Sequence, residues 1–157
     1  MATVEDTPSI LFVKRGERAG DPWSGHVAFP GGFRSPVDES AAATAMRETK
    51  EETGLDLERL GESLGPLDDV YPRSVRLPKV IVTPVVFLVA GRPAVSARAE
   101  VDRAEWIEAA EVFDPDNQRP YVLHTGESQL VFESIQVRGL TIWGLTERIL
   151  SQVANII

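Results

Sequence analysis

Arg47-Glu48-Thr49-Lys50-Glu51-Glu52 sets three carboxylates at positions i, i+3 and i+4. On a helix those offsets place all three side chains on one face, within reach of a common point. Stacked like charges cost a bare helix about 0.2–0.5 kcal/mol per contact, and carboxylates near a helix C-terminus also face the negative end of its dipole. A solvated acidic face, with Arg47 and Lys50 offsetting the repulsion, tolerates both penalties. A bound divalent cation removes them. Magnesium prefers hard oxygen ligands and takes one or two carboxylates beside substrate phosphates and water. Phe29-Pro30-Gly31-Gly32 lies just upstream. Glycines let backbone groups approach an ion or a phosphate closely. Alone, such a loop marks a turn; beside an acidic helix it describes a site for phosphate and metal.

The helix that must carry these carboxylates is the clearest element in the chain. Ala41 to Glu52 is rich in strong helix formers, and Gly54 stands where a C-terminal cap belongs. The expected body runs from Glu39 to Thr53, and Ser35-Pro36-Val37-Asp38 resembles a capping box from which an earlier helical turn starts. Strands are expected at Ile10–Val13, His26–Phe29, Lys79–Ala90 (a buried one), Ala94–Glu100, Glu105–Ile107 and Leu130–Gln136, with a closing helix over Thr141–Val153. Ala19–Ser24, Gly61–Pro78 and Asp114–Tyr121 read as loops. Strands, a central helix, more strands and a final helix make an α+β sandwich.

At 157 residues the chain suits one compact domain, 1–157. The hydrophobic share of 43% and charged share of 25% are those of a globular protein. No apolar run approaches the length of a membrane-spanning helix, and no basic stretch followed by an apolar one opens the chain. With no cysteine, disulfides, thiolate metal sites and cysteine nucleophiles are all excluded. A cytoplasmic protein is expected. The net charge of −8 disfavours a stable nucleic-acid complex.

Gly32, Arg47-Glu48, Glu51-Glu52, Gly54 and Leu55 together resemble the Nudix box, Gly-x5-Glu-x7-Arg-Glu-U-x-Glu-Glu-x-Gly-U, with U a bulky apolar residue. Counted from Gly32, Asp38 takes the isolated acidic place and Arg47 falls one position late. Counted back from Arg47, Glu39 takes it and Phe33 replaces the glycine. Thr49 stands at an apolar position. The longer spacing, the run Gly25-His26-Val27-Ala28-Phe29-Pro30-Gly31-Gly32, and the segments Thr83–Val86 and Ile142–Thr146 are similar to the coenzyme A pyrophosphatase branch. His26 replaces that branch's glutamine, and Asp21-Pro22-Trp23-Ser24 replaces its Leu-Arg-x-His segment.

The resemblance implies a Nudix-type α/β/α sandwich with a mixed β-sheet between helices. It implies magnesium, or manganese in its place, and attack of water on a phosphorus of a small nucleotide substrate. Glu51 and Glu52 would be primary metal ligands, Glu48 a further ligand or the base, and Gly32 would lend its carbonyl. Arg47 would orient Glu51 or Glu48. Phe29, Trp23, Arg34 and Arg73 are the expected substrate contacts, with Arg15 and Arg76 as further phosphate contacts. His26 reads as structural, and His124 either reaches the site with Glu127 or lies on the surface. Trp23 and Trp143 could each stack on a nucleobase, though Trp143, at the start of the last helix, reads rather as core. Coenzyme A or a related nucleotide leads as substrate, ahead of ADP-ribose, dinucleotides and nucleoside triphosphates. The rival from another class is a nucleotide-binding module without turnover, which the retained Glu48, Glu51 and Glu52 disfavour. A monomer or homodimer is expected.

Overall fold

The structure, a computed structural model, describes residues 7–73, 78–126 and 128–155. The apolar run Ile10–Val13 forms the middle of β1 (Ser9–Arg15), which pairs antiparallel with β2 (Val27–Ala28) on one edge and β5 (Val101–Glu108) on the other. The register sets Leu11 opposite Trp106 and Ile10 opposite Ile107. Side chains alternate along a strand, so Leu11 and Phe12 point to opposite faces, and each face meets its own core.

Phe12 packs with Val27, Ile107, Ile135, Val137, Leu140, Ile142 and Leu150. That cluster joins β1, β2 and β5 to the one-turn α3 (Ala109–Val112), β7 (Ser128–Val137), β8 (Leu140–Trp143) and α4 (Leu145–Val153). Leu11 packs with Leu55 and Leu57, and Met46, Phe87, Val89 and Trp106 flank them. This second cluster seats α1 (Ala41–Thr53), the short α2 (Leu57–Leu60) and the ribbon of β3 (Gly61–Pro66) with β4 (Val85–Val89). Helices therefore cover both sides of the β1 sheet, as the α+β sandwich requires. A third sheet, β6 (Gln118–Thr125) with β7 and β8, is a meander, and every strand pairing among the described residues is antiparallel.

Several expected boundaries move. The apolar run over Lys79–Ala90 forms a strand only at β4, because Pro84 has no N–H to donate; its carbonyl instead accepts the Leu67 amide. Nor is that run wholly buried, since Ile81 is 74% and Leu88 58% exposed. The expected loop Gly61–Pro78 opens with β3. Ala94–Glu100, expected as a strand, is a loop whose amides at Ser96 and Arg98 bond the carbonyls of Thr53 and Glu52 at the end of α1. Those carbonyls have no partner inside the helix. Gln118–Tyr121 lies in β6 rather than in loop, with Pro120 on an edge strand where its missing N–H is tolerated. The closing helix starts at Leu145, because Leu140–Trp143 pairs with β7 and Gly144 turns the chain at φ 69°.

Candidate active site

Helix α1 begins one residue after Ser40, whose hydroxyl accepts the Ala43 amide at 3.1 Å. Ser35–Asp38 is an isolated turn ahead of it, closed by the Asp38 amide on the Ser35 carbonyl. At the other end Gly54, at φ 76°, donates to the Lys50 carbonyl. The expected glycine cap is there. A side chain on Gly54 would be strained, and its Cβ would lie 2.6 Å from the Arg98 guanidinium carbon.

The glycine loop closes on the acidic face of this helix. The Gly31 amide donates to Oε2 of Glu52 at 3.1 Å. Glu52 is only 5% exposed, and burial, reinforced by the nearby Glu48 charge, pushes its carboxyl up to about 7 against the pull of the Gly31 bond. Glu48 stands one turn earlier and packs against the next glycine. A Cβ on Gly32 would sit 2.5 Å from the Glu48 carboxyl carbon, whereas one on Gly31 meets nothing within 4 Å. Gly32 is thus a glycine because a carboxylate occupies the space where its side chain would be.

Arg47 ties loop and helix together. Its Nε donates to Oδ1 of Asp38 at 3.1 Å and its Nη2 to Oδ2 at 2.9 Å, a bidentate pair. Nη2 also reaches the Phe33 carbonyl at 3.0 Å, while Nη1 meets Glu48 at 2.7 Å and Glu51 at 3.4 Å. Asp38 is buried and accepts further bonds from the Ser35 amide and the Thr44 hydroxyl. Arg47 above all, then the Ser35 amide, holds its carboxyl well below the usual carboxylate range. Arg47 is correspondingly raised, first by Asp38 and then by Glu48. Of the two acids that compete for the isolated position, Asp38 is the one that meets Arg47. Glu39 is exposed, and its carbonyl receives Arg34.

Glu48, Glu51 and Glu52 share the helix but not one point. Among the described residues no three His, Asp or Glu side chains gather closely enough to hold a metal ion alone. Arg47 is shared by Glu48 and Glu51, the latter 54% exposed, while the Gly31 amide partners Glu52. Glu48 and Glu52 remain a pair of hard-oxygen donors one turn apart beside the glycine backbone. That donor set fits a magnesium-like cation, which needs only one or two carboxylates when phosphate oxygens complete its shell.

The expected substrate contacts are placed less uniformly. Phe29 lies against the core, its ring stacked on Phe12 at 5.4 Å, because the chain entering the loop is anchored by an apolar side chain. Arg34 spends its guanidinium on the carbonyls of Asp38 and Glu39. Trp23 is half-buried in the turn before β2; Asp21 accepts its amide, and its carbonyl accepts the His26 amide. Arg73 is exposed and its charge is felt by Glu147 on α4. His26 is half-buried, its ring 4.8 Å from Trp143, and desolvation lowers its pKa. Trp143 belongs to β8, not to the last helix. His124 lies exposed on β6; Glu127 and Arg76 lie outside the described residues.

Arg15, expected as a phosphate contact, and Glu100, to which no local spacing points, also enter. Arg15 on β1 is ion-paired with Asp21 at 2.8 Å, and Glu100 is paired with Arg18; the charges of Arg15 and Glu100 both act on Glu52. Arg18 and Glu100 stand 82 positions apart, so no local pattern announces them.

A family model described as the NUDIX domain matches residues 1–125. The chain belongs to the Nudix family. The Nudix helix is therefore α1, and of the two acids that compete for the box's isolated position Asp38 is the one bonded to Arg47. The chain is 34% identical over 119 residues to an uncharacterized protein of Schizosaccharomyces pombe, covering 73% of this chain and 36% of that one. It is 32% identical over 121 residues to the mitochondrial coenzyme A diphosphatase NUDT8 of Mus musculus, covering 75% and 55%. It is also 32% identical over 150 residues to an uncharacterized Nudix hydrolase, NudL, of Photorhabdus laumondii, covering 94% and 76%. This Nudix chain thus spans about a third and about a half of the length of the first two relatives. No helix among the described residues is long and apolar enough to cross a membrane.

Proposed function

We propose that this chain, acting as one domain, is a metal-dependent hydrolase that cleaves the diphosphate bond of a nucleoside diphosphate derivative, coenzyme A first among them. One observation carries the reading: the Gly31-Gly32 backbone closes onto Glu52 and Glu48, bringing phosphate-accepting loop and hard-oxygen donors to the same place. In this reading Glu48 and Glu52, with the Gly32 carbonyl, hold the cation, magnesium or manganese, and Glu51 joins them from the exposed edge. When bound, such a cation neutralises phosphoryl charge and lowers the pKa of a coordinated water. Arg47 keeps Glu48 aimed at the loop and locks the loop through Asp38 and Phe33. Such positioning matters because phosphoryl transfer depends on orientation and charge stabilisation more than on covalent chemistry. Glu48 is ligand or base. The coenzyme A preference is supported by the spacing between Gly32 and Arg47 and by the likeness to a relative named as a coenzyme A diphosphatase.

The test is a substrate panel with magnesium: coenzyme A, ADP-ribose, NADH, dinucleoside polyphosphates and nucleoside triphosphates, with products identified. Coenzyme A should yield 4′-phosphopantetheine and adenosine 3′,5′-bisphosphate with the highest kcat/KM. A tenfold advantage for ADP-ribose, about 1.4 kcal/mol, would overturn the substrate. Absence of turnover on the whole panel would overturn the activity.

A further inference from the structure

The meander β6–β7–β8 has a second face. Its core face is filled by Ile135, Val137, Leu140 and Ile142. The opposite face carries Leu123 and Tyr121 on β6, paired across the strands with Leu130 and Phe132 on β7, and then Trp143 on β8 opposite Ser134. The Trp143 ring lies 4.8 Å from Tyr121, 5.0 Å from Phe132 and 4.8 Å from His26. These aromatic rings are half-buried, and Leu130, at the outer end of the strip, is 47% exposed. Aromatic side chains are thus concentrated on a face that the hydrophobic core does not use.

That face borders β2, the strand that leads into the glycine loop. The Thr146 hydroxyl, three residues after Trp143, bonds the Val27 carbonyl at 2.9 Å and pins the aromatic cluster to β2. From His26 to Gly31 the chain spans at most roughly 17 Å fully extended. Arg15 bridges the two regions: its amide bonds the His26 carbonyl at 2.9 Å, and its charge acts on both His26 and Glu52. A ligand with a flat ring at one end and phosphates at the other matches this order of aromatic face, arginine and carboxylates. Every nucleobase offers a π-face for stacking, and aromatic platforms bind bases on that ground.

We propose that Tyr121, Phe132 and Trp143 form the subsite that stacks the nucleobase of the diphosphate substrate. The assignment rests on the hydrolase reading above, but its test does not require turnover. Adenosine 3′,5′-bisphosphate and 4′-phosphopantetheine, the two halves of coenzyme A, are titrated into the wild-type protein while the indole N–H resonances are followed, Trp143→Phe identifying the Trp143 signal. The adenosine compound should shift that signal and phosphopantetheine should leave it in place. Tyr121→Leu and Phe132→Leu should each weaken binding of the adenosine compound about tenfold, and raise KM far more than they lower kcat, with unchanged far-ultraviolet circular dichroism. Three outcomes overturn the subsite: binding of the adenosine compound without movement of Trp143, movement caused by phosphopantetheine instead, or a concentration-dependent dimer whose contact occupies this face. A Trp143 shift in a protein that hydrolyses nothing on the panel would sink the hydrolase reading and leave the subsite standing.

Discussion

Glu52 combines deep burial with a carboxyl pushed up to about 7, so its charge is held where the fold alone disfavours it. Its folded value lies above the ordinary 4.5, so the native state binds the extra proton. The stability this contributes is full below 4.5 and lost as pH rises through about 7. Glu52→Gln removes the penalised charge. Chelator-treated Glu52→Gln should therefore melt higher than wild type at pH 8, with the gap closing towards pH 4.5. The gain is at most about 3 kcal/mol, less whatever solvent screens, and turnover should fall by orders of magnitude. Glu51→Gln should cost comparable activity with an unchanged melting temperature, since its exposed carboxylate supports no packing. Wild-type turnover in either variant would remove that residue from the site. At the loop, Gly32→Ala should impair catalysis far more than Gly31→Ala, because the added methyl displaces the Glu48 carboxylate in one case and meets open space in the other. Melting should barely change in both, as Glu48 can swing aside. Equal, near-normal rates would reduce the loop to a turn.

Helix α1 presents the site only if both its ends and the preceding loop are held. Ser40→Ala removes the cap on the Ala43 amide and should cost about 1 kcal/mol, read from chemical denaturation with an unchanged slope. The loop is held by Asp38 on Arg47, and here pH works in the opposite direction. The folded pKa of Asp38 lies below its ordinary 3.8, so its contribution is present above that pH and lost as pH falls below it. Wild type should therefore lose stability on acidification below pH 4 more steeply than Asp38→Asn, which lacks the charge at every pH. Parallel acid titrations of the two, with identical slopes, would show that Arg47 does not depend on Asp38. Two residues before Gly31 the chain entering the loop is anchored by Phe29, whose ring stacks on Phe12.

For the molecule as a whole, a net charge of −8 opposes the approach of an anionic nucleotide, and Arg15, Arg18 and Arg47 near the loop are each already paired with carboxylates. Long-range repulsion is screened over about 10 Å at 0.1 M salt, whereas short ion contacts persist. KM for coenzyme A should therefore fall as salt is raised from 10 mM towards 0.1 M. A steady rise in KM instead would mean that the arginines dominate the field at encounter.

The ladder Arg47-Glu48-x-x-Glu51-Glu52, the Gly31-Gly32 turn and the Gly54 cap were legible from the residues alone, because helix spacing and tight-turn geometry depend on chain neighbours. The strands of β1 and β7 were legible for the same reason, through their runs of apolar residues. Folding brought Asp38 rather than Glu39 against Arg47, a contact that exists only once the loop has closed. It also brought Arg15 and Glu100 to bear on Glu52, and set Trp143 on a strand beside His26 rather than on the last helix. Those facts depend on strand register and on contacts between residues far apart in the chain. No local period or propensity encodes them, since their energy exists only when both partners are in place.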